Sequence, residues 1–250
     1  MAQTAEEWRE IARAALVLPS PLDRYRPSAS RRAAYGAFTL VADGDQGSTF
    51  NRAVVLGPVA PERLFAMADA FFADSFSVVI ESGAAAVLER VLQVRGWRLD
   101  EEEPALVLAP IPEAGPPAPA DLDIRQVVDT AGLADFRQVS QTPSVYLPSL
   151  VAARDPAVVL LVGHVGGQAV ATARVTCLAS VVEVMGVVTL PAARRRGYGR
   201  ALTWAALAAG RVRGCTAATL TATAMGLPLY QSMGFQPAGT YRTYLPPQPE

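Results

Sequence analysis

One stretch limits the fold of this chain more than any other: Val181 to Gly210, VVEVMGVVTLPAARRRGYGRALTWAALAAG. A β-branched apolar run ends at Pro191. A short loop with three arginines and two glycines follows, and from Arg200 onward the apolar residues recur with helical spacing. Strand, Arg/Gly loop and helix together make a device for holding phosphates. Glycines let the backbone approach an anion, consecutive N–H groups form a concave nest, and the start of a helix adds the positive end of its dipole. Arg194, Arg195 and Arg196 add charge-assisted donors next to Gly197, Tyr198, Gly199 and Arg200.

Charge and composition narrow what such a loop can hold. The 250 residues carry a net charge of −1, so there is no broad basic field for nucleic acid or an anionic membrane. The arginine cluster is local and suits a small polyanion. Hydrophobic content of 51 % against 18 % charged describes a packed globular protein. Cys177 and Cys215 fit neither a disulfide framework nor a zinc site, and read most simply as small buried thiols. No metal is expected. The N-terminus, MAQTAEEWREIARA, lacks the apolar segment of a signal peptide, and no run reaches the length of a membrane span, so a cytoplasmic protein is expected.

Arg194-Arg195-Arg196-Gly197-Tyr198-Gly199 has the form Arg/Gln-x-x-Gly-x-Gly/Ala, and a second block stands at Leu229-Tyr230-Gln231-Ser232-Met233-Gly234-Phe235. With these two blocks the chain resembles the GNAT superfamily of acetyltransferases from about Asp121 to its C-terminus. The resemblance implies an α/β fold with a mixed sheet, acetyl-CoA as acetyl donor, and transfer of the acetyl group to a primary amine by direct attack in a ternary complex. A non-catalytic acyl-CoA-binding regulatory module is the other reading. A dinucleotide binder is disfavoured, because the glycine loop comes late and no acidic ribose-binding strand end follows it.

Read in order, the first half gives a helix over 5–18 with Thr4 as N-cap, strands over 34–42 and 52–56, a helix over 61–73, a strand over 75–80, a helix over 84–95, and strands over 97–99 and 104–108 around the acidic turn DEEE. That order resembles a shortened copy of the second half, with Gly96-Trp97 matching Gly234-Phe235. Residues 1–110 are therefore expected to be a degenerate GNAT-like domain without a cofactor loop. Residues 111–120, IPEAGPPAPA, read as a proline-rich linker, and 121–250 as the catalytic domain. The second half should begin with a strand over 122–127 and a helix over 129–140 capped by Asp129. A loop with a short helix over 141–153 follows, then a hairpin over 158–177 turning at Gly166-Gly167. After the helix over 200–213, a strand over 215–224, a short helix and two last strands (235–237 and 240–245) complete it.

Candidate site residues follow from the strand and the two blocks. Glu183 is the only charge in its apolar run, on the same strand face as Met185 and Val187. It reads either as a general base whose pKa burial raises, or as a sheet-edge or ion-paired residue. Gly186 is the candidate for a bulge that splays two strands, leaving Val187, Val188 and Thr189 to offer backbone groups to the peptide-like arm of CoA. Tyr230 stands where the resemblance puts the proton donor for the departing thiolate. His164, beside a hairpin turn, is expected at the surface, and the resemblance implies that Tyr146 lies in the region lining the acceptor site. The acceptor itself, a small molecule or a peptide, is not readable. The few cations outside the loop disfavour an acidic one, and the sequence leaves a homodimer open.

Overall fold

The computed structural model describes residues 4–25, 30–43, 47, 51–140 and 149–247. Helix α1, Ala5–Val17, opens with a complete capping box: Thr4 Oγ1 accepts from the Glu7 N–H at 3.2 Å, and Glu7 Oε2 accepts from the Thr4 N–H at 2.7 Å. The chain then makes β1 (Arg31–Ala34) and β2 (Phe38–Ala42), an antiparallel pair turning at Gly36 where a single strand was expected. Gly36 has φ +77°, a conformation that glycine adopts without strain. Next come β3 (Asn51–Val55), α2 (Pro61–Phe71), β4 (Ser77–Glu81) and α3 (Ala86–Val94). The expected pair of strands around DEEE is one strand, β5 (Arg98–Leu108), because the acidic residues pair along β11 instead of turning.

The second half contains β6 (Asp123–Gln126), α4 (Thr130–Ser140), α5 (Leu150–Ala153), β7 (Val158–Val165), β8 (Gln168–Leu178) and β9 (Val181–Thr189). After them stand α6 (Tyr198–Val212), β10 (Ala217–Thr221), α7 (Leu227–Ser232) and β11 (Gln236–Leu245). β11 replaces two expected strands; an irregularity at Pro237/Gly239 absorbs the break. The Asp129 carboxylate accepts from the Gly132 N–H at 2.8 Å, as an N-cap should. Tyr146 and the rest of 141–148 lie outside the described residues, as does most of the polar stretch between β2 and β3.

Among the described residues, eleven strands form one mixed sheet in the order β1-β2-β3-β4-β11-β5-β10-β9-β8-β7-β6. The centre of that order is an exchange. β5 of the first half lies against β10 of the second, and β11 of the second half lies against β4 of the first. On one side β3 and β4 are parallel and meet an antiparallel β11; on the other, β9 and β10 are parallel and meet an antiparallel β5. The halves thus repeat one another about the β5–β11 pair.

The sheet is covered on both faces. α2 and α3 pack on one face with Phe38, Leu40, Val78, Ile80 and Tyr244, and α6 and α7 on the same face with Leu106, Val159, Val182 and Leu220. The opposite face carries α1 over Val54, Val79, Val107 and Tyr241, and α4 and α5 over Val158, Leu160 and Val162. The proline-rich segment lies along α6. Ile111 donates its N–H to Thr216 O at 2.9 Å, Arg211 reaches the carbonyls of Pro112 and Glu113, and a Cβ on Gly115 would overlap the ring of Trp204.

Because each half borrows its neighbour's last strand, neither 1–110 nor 121–250 should give a cooperative thermal transition when produced alone. Mixing the two should restore a single melt by circular dichroism. A cooperative, monomeric melt of an isolated half would contradict this.

Candidate active site

The opening in the sheet is built by β9 and β10. Their parallel pairing covers only Val181–Glu183 against Ala217–Thr219, after which β9 runs on to Thr189 with β8 alone beside it. Gly186, the expected bulge site, lies just beyond the departure. Its φ is +56°, and around it Met185 pairs with Arg174 but Val188 with Thr172, so β9 carries one extra residue there. Thr172 Oγ1 donates to the Gly186 carbonyl at 3.3 Å and holds the bulge. The corresponding pair in the first half, β3 and β4, stays paired from Arg52 to Val55 and has no opening.

A cleft of about 1170 Å³ occupies the gap. Its lining includes Glu183 through Thr189, Arg194, Arg195, Gly197 through Arg200, and Tyr230, so most of the residues singled out in the sequence meet in one place. Arg196 is the exception: it is exposed, outside the lining, and its side chain bonds to the Tyr198 hydroxyl. Tyr198 contributes backbone only, since its ring is buried and its hydroxyl donates to Asp121 Oδ2 at 2.5 Å. That hydrogen bond and the burial push its pKa up.

The loop at the mouth has the shape its residues predict. A short 3₁₀ turn, Pro191–Ala193, leads into Arg195 at φ +65° and Gly197 at φ +85°, the N-cap of α6. Two left-handed residues with a single residue between them turn N–H groups of the loop toward the unpaired first-turn donors of a fifteen-residue helix. Arg194 is tied to the strand end through Nε to Thr189 O at 3.1 Å, and Arg200 Nη2 bonds Ser232 Oγ at 2.8 Å. Gly199 faces the cleft: a Cβ there would stand 3.5 Å from Thr189 Oγ1 and 3.7 Å from Leu229 Cδ2.

Glu183 sits on the last paired rung of β9, beside Thr219 and Thr176, where the two strands part. It keeps partial solvent access through the cleft but is otherwise surrounded by protein. Burial raises its pKa above the ordinary carboxyl range, with further upward push from Asp23 and Asp43; Arg174 and Arg52 act against the shift. Tyr230 approaches from the other side, on α7. Its ring packs edge-on to Phe235 at 5.8 Å, and burial pushes its pKa up to about 12. His164 is not at the surface. It is buried, with Nε2 2.9 Å from Asp135 Oδ2, two strands away from β9 and outside the cleft lining. Cys177 is half-buried and Cys215 buried; both are free thiols.

Sequence reasoning missed the wall opposite. Arg52, Ser77, Val79 and α1 residues Ala12 and Leu16 also line the cleft, brought from the first half. Nothing local marks them, because they arrive through the strand exchange. No group able to hold a metal occurs among the described residues, and no described helix is long and apolar enough to cross a membrane.

Residues 151–237 match the acetyltransferase (GNAT) domain family. Among solved structures, the chain is similar to a GCN5-related N-acetyltransferase from Kribbella flavida, with 24 % identity, 96 % of each chain covered and a TM-score of 0.71. A GCN5-related N-acetyltransferase from Sphaerobacter thermophilus aligns at 17 % identity over 97 % of this chain and 93 % of its own, TM-score 0.60. A tandem GNAT protein from the clavulanic acid biosynthesis pathway aligns at 14 % identity over 96 % and 94 %, TM-score 0.58. No curated protein matches the sequence. The GNAT domain family is thus matched over residues 151–237, and the likeness to these structures shows that the whole chain shares their fold. Acyl transfer from acyl-CoA is the chemistry of that family.

The raised pKa of Glu183 has a sign that can be checked. Between the unfolded value of about 4.3 and the folded one, the native state holds a proton that the unfolded chain has released. Stability from this group is therefore lost as pH rises through that window. Glu183→Gln, which cannot ionise, should melt higher than the wild type at neutral pH and match it near pH 4. A lower Tm for the variant at neutral pH would mean that Glu183 is stabilised by its arginine neighbours.

Proposed function

We propose that the protein is an acetyl-CoA-dependent N-acetyltransferase that acts on a primary amine by direct attack within a ternary complex. The observation that carries this reading is the meeting, in one cleft, of an anion-binding loop, the free edge of β9, a buried carboxyl at the vertex and a buried phenol opposite. The cosubstrate supplies an activated acyl thioester; positioning and proton movement fall to the chain.

The first-turn N–H groups of α6, with Arg194, Arg195 and Arg200, take the pyrophosphate. The groups of Val187, Val188 and Thr189 that β10 leaves unpaired receive the amide-bearing arm, as an added strand would be received. Glu183 accepts the proton of the acceptor amine, directly or through a water. A carboxyl with a raised pKa is a stronger base once ionised than an ordinary one. Tyr230, protonated throughout the neutral range, donates to the sulfur as it departs. No nucleophilic side chain is needed, because alignment of the two substrates supplies much of the rate.

Calorimetry with acetyl-CoA should give one site per chain. Gly199→Asp should abolish binding by placing a carboxylate among the phosphate donors. The fold should tolerate it, since an acidic residue in the first turn of a helix is favourable. Two sites per chain would overturn the assignment of the first half as cofactor-free, and no site would overturn the proposal. Glu183→Gln should reduce kcat/KM by roughly 10²–10⁴-fold and remove the acidic limb of its pH profile. Tyr230→Phe should lower kcat and leave acetyl-CoA affinity intact; a regulatory binding module would be indifferent to both changes.

A further inference from the structure

The wall facing Glu183 belongs to the first half. Behind it, the buried Asp43 accepts from Arg52 Nη2 at 2.8 Å, Arg32 Nη2 at 2.9 Å and Ser30 Oγ at 2.5 Å, and Arg32 also pairs with Asp23 at 3.0 Å. Arg32 is half-buried in this set, its side chain 16 % exposed. Arg52 is 30 % exposed and lines the cleft, with one of its nitrogens on Asp43. A guanidinium is a planar fork of five donors, so Arg52 retains the geometry for a second carboxylate. Glu183 lies within electrostatic range of Arg52.

We propose that the acceptor is an amine that also carries a carboxylate, which Arg52 binds while the amine faces Glu183. This rests on the acyl-transfer reading above and names the acceptor class for the same cleft. It reverses the expectation that an acidic acceptor is disfavoured: the cation that matters comes from the first half. The charge balance of the Arg52 cluster is compatible with it. Among the described residues of this cluster, Arg32, Arg52 and Arg174 offset Asp23, Asp43 and Glu183 when Glu183 is ionised. An incoming zwitterion leaves that balance unchanged. Once Glu183 holds the proton, the cluster carries one positive charge and the amino-carboxylate one negative, and balance is kept again. A plain ammonium would leave this cluster one positive charge in excess, to be offset only by the other carboxylates of the lining, Asp100, Glu101 and Glu103.

Thiol release can be followed with matched pairs, each an L-amino acid and its decarboxylated amine: alanine and ethylamine, phenylalanine and phenethylamine, lysine and cadaverine. The wild type should favour the carboxylated member of at least one pair by roughly tenfold to a hundredfold in kcat/KM, the range of a charged hydrogen bond. Arg52→Met and Arg52→Lys should erase that preference with acetyl-CoA affinity unchanged; the lysine variant keeps the charge and loses only the fork. Equal or better use of the amine in every pair overturns the proposal and leaves acyl transfer standing. If acetyl-CoA binds and no amine is turned over, transfer itself fails. Thermal shift of the CoA complex then decides the carboxylate site: stabilisation by an L-amino acid in the wild type and none in Arg52→Met supports it, and no stabilisation overturns it.

Discussion

The antiparallel pairing of β5 with β11 is the interaction on which the rest of this architecture depends. Each strand belongs to one half by sequence and borders the other half's parallel pair in space. Without β5, β10 would be an unpaired edge directly under the proposed active cleft, and an exposed edge of apolar strand is a hazard for pairing with other chains. The first half lacks both the glycine loop and the splay, yet its last strand completes the sheet that the splay needs. The first half thus has a mechanical role in the sheet.

The splay then sets the electrostatics. Parallel strands ordinarily pair along their length, as β3 and β4 do; β9 leaves β10 after Glu183, and three residues on Gly186 takes a left-handed turn that bulges the strand against β8. The side chain at the vertex is Glu183, held where protein encloses it but the cleft still reaches it. Burial and two aspartates favour its neutral form, and two arginines favour its charged form. Such opposed influences keep a carboxyl adjustable, because a ligand that engages Arg52 weakens one of the two forces that hold it ionised. The acceptor could in this way tune the base that acts on it.

The second half was legible because its signals are local. The β9 run, the Arg/Gly loop and Leu-Tyr-x-x-x-Gly-Phe each combine neighbours in sequence, and Gly186 betrayed its bulge as the one glycine within a β-branched strand. The errors arose where pairing partners are distant. Asp100 to Glu103 looked like a turn, since four consecutive acidic residues suit solvent; register against Tyr241, Arg242 and Thr243 makes them a strand. His164 looked exposed because its hairpin turn is near, but Asp135, 29 positions away, gives it a buried partner. Arg52 had no signal, because its meaning comes only from the wall it faces.

The proline-rich segment shows how far the exchange extends. It must carry the chain from the end of β5, inside the second half's sheet, to the start of β6 at that sheet's edge, and it does so along α6. Its last residues reach the anion loop: Pro119 stands next to Gly197, and Asp121 takes the Tyr198 hydroxyl. The left-handed N-cap of α6 is therefore held from outside the helix by the same segment that permits β5 to cross. An anion site made of backbone N–H groups works only if those groups are already aimed, since reorienting them on binding would cost conformational entropy. The crossing thus completes the sheet beneath the cleft and fixes the loop at its mouth, which links the anion-binding geometry of the second half to the strand order of the first.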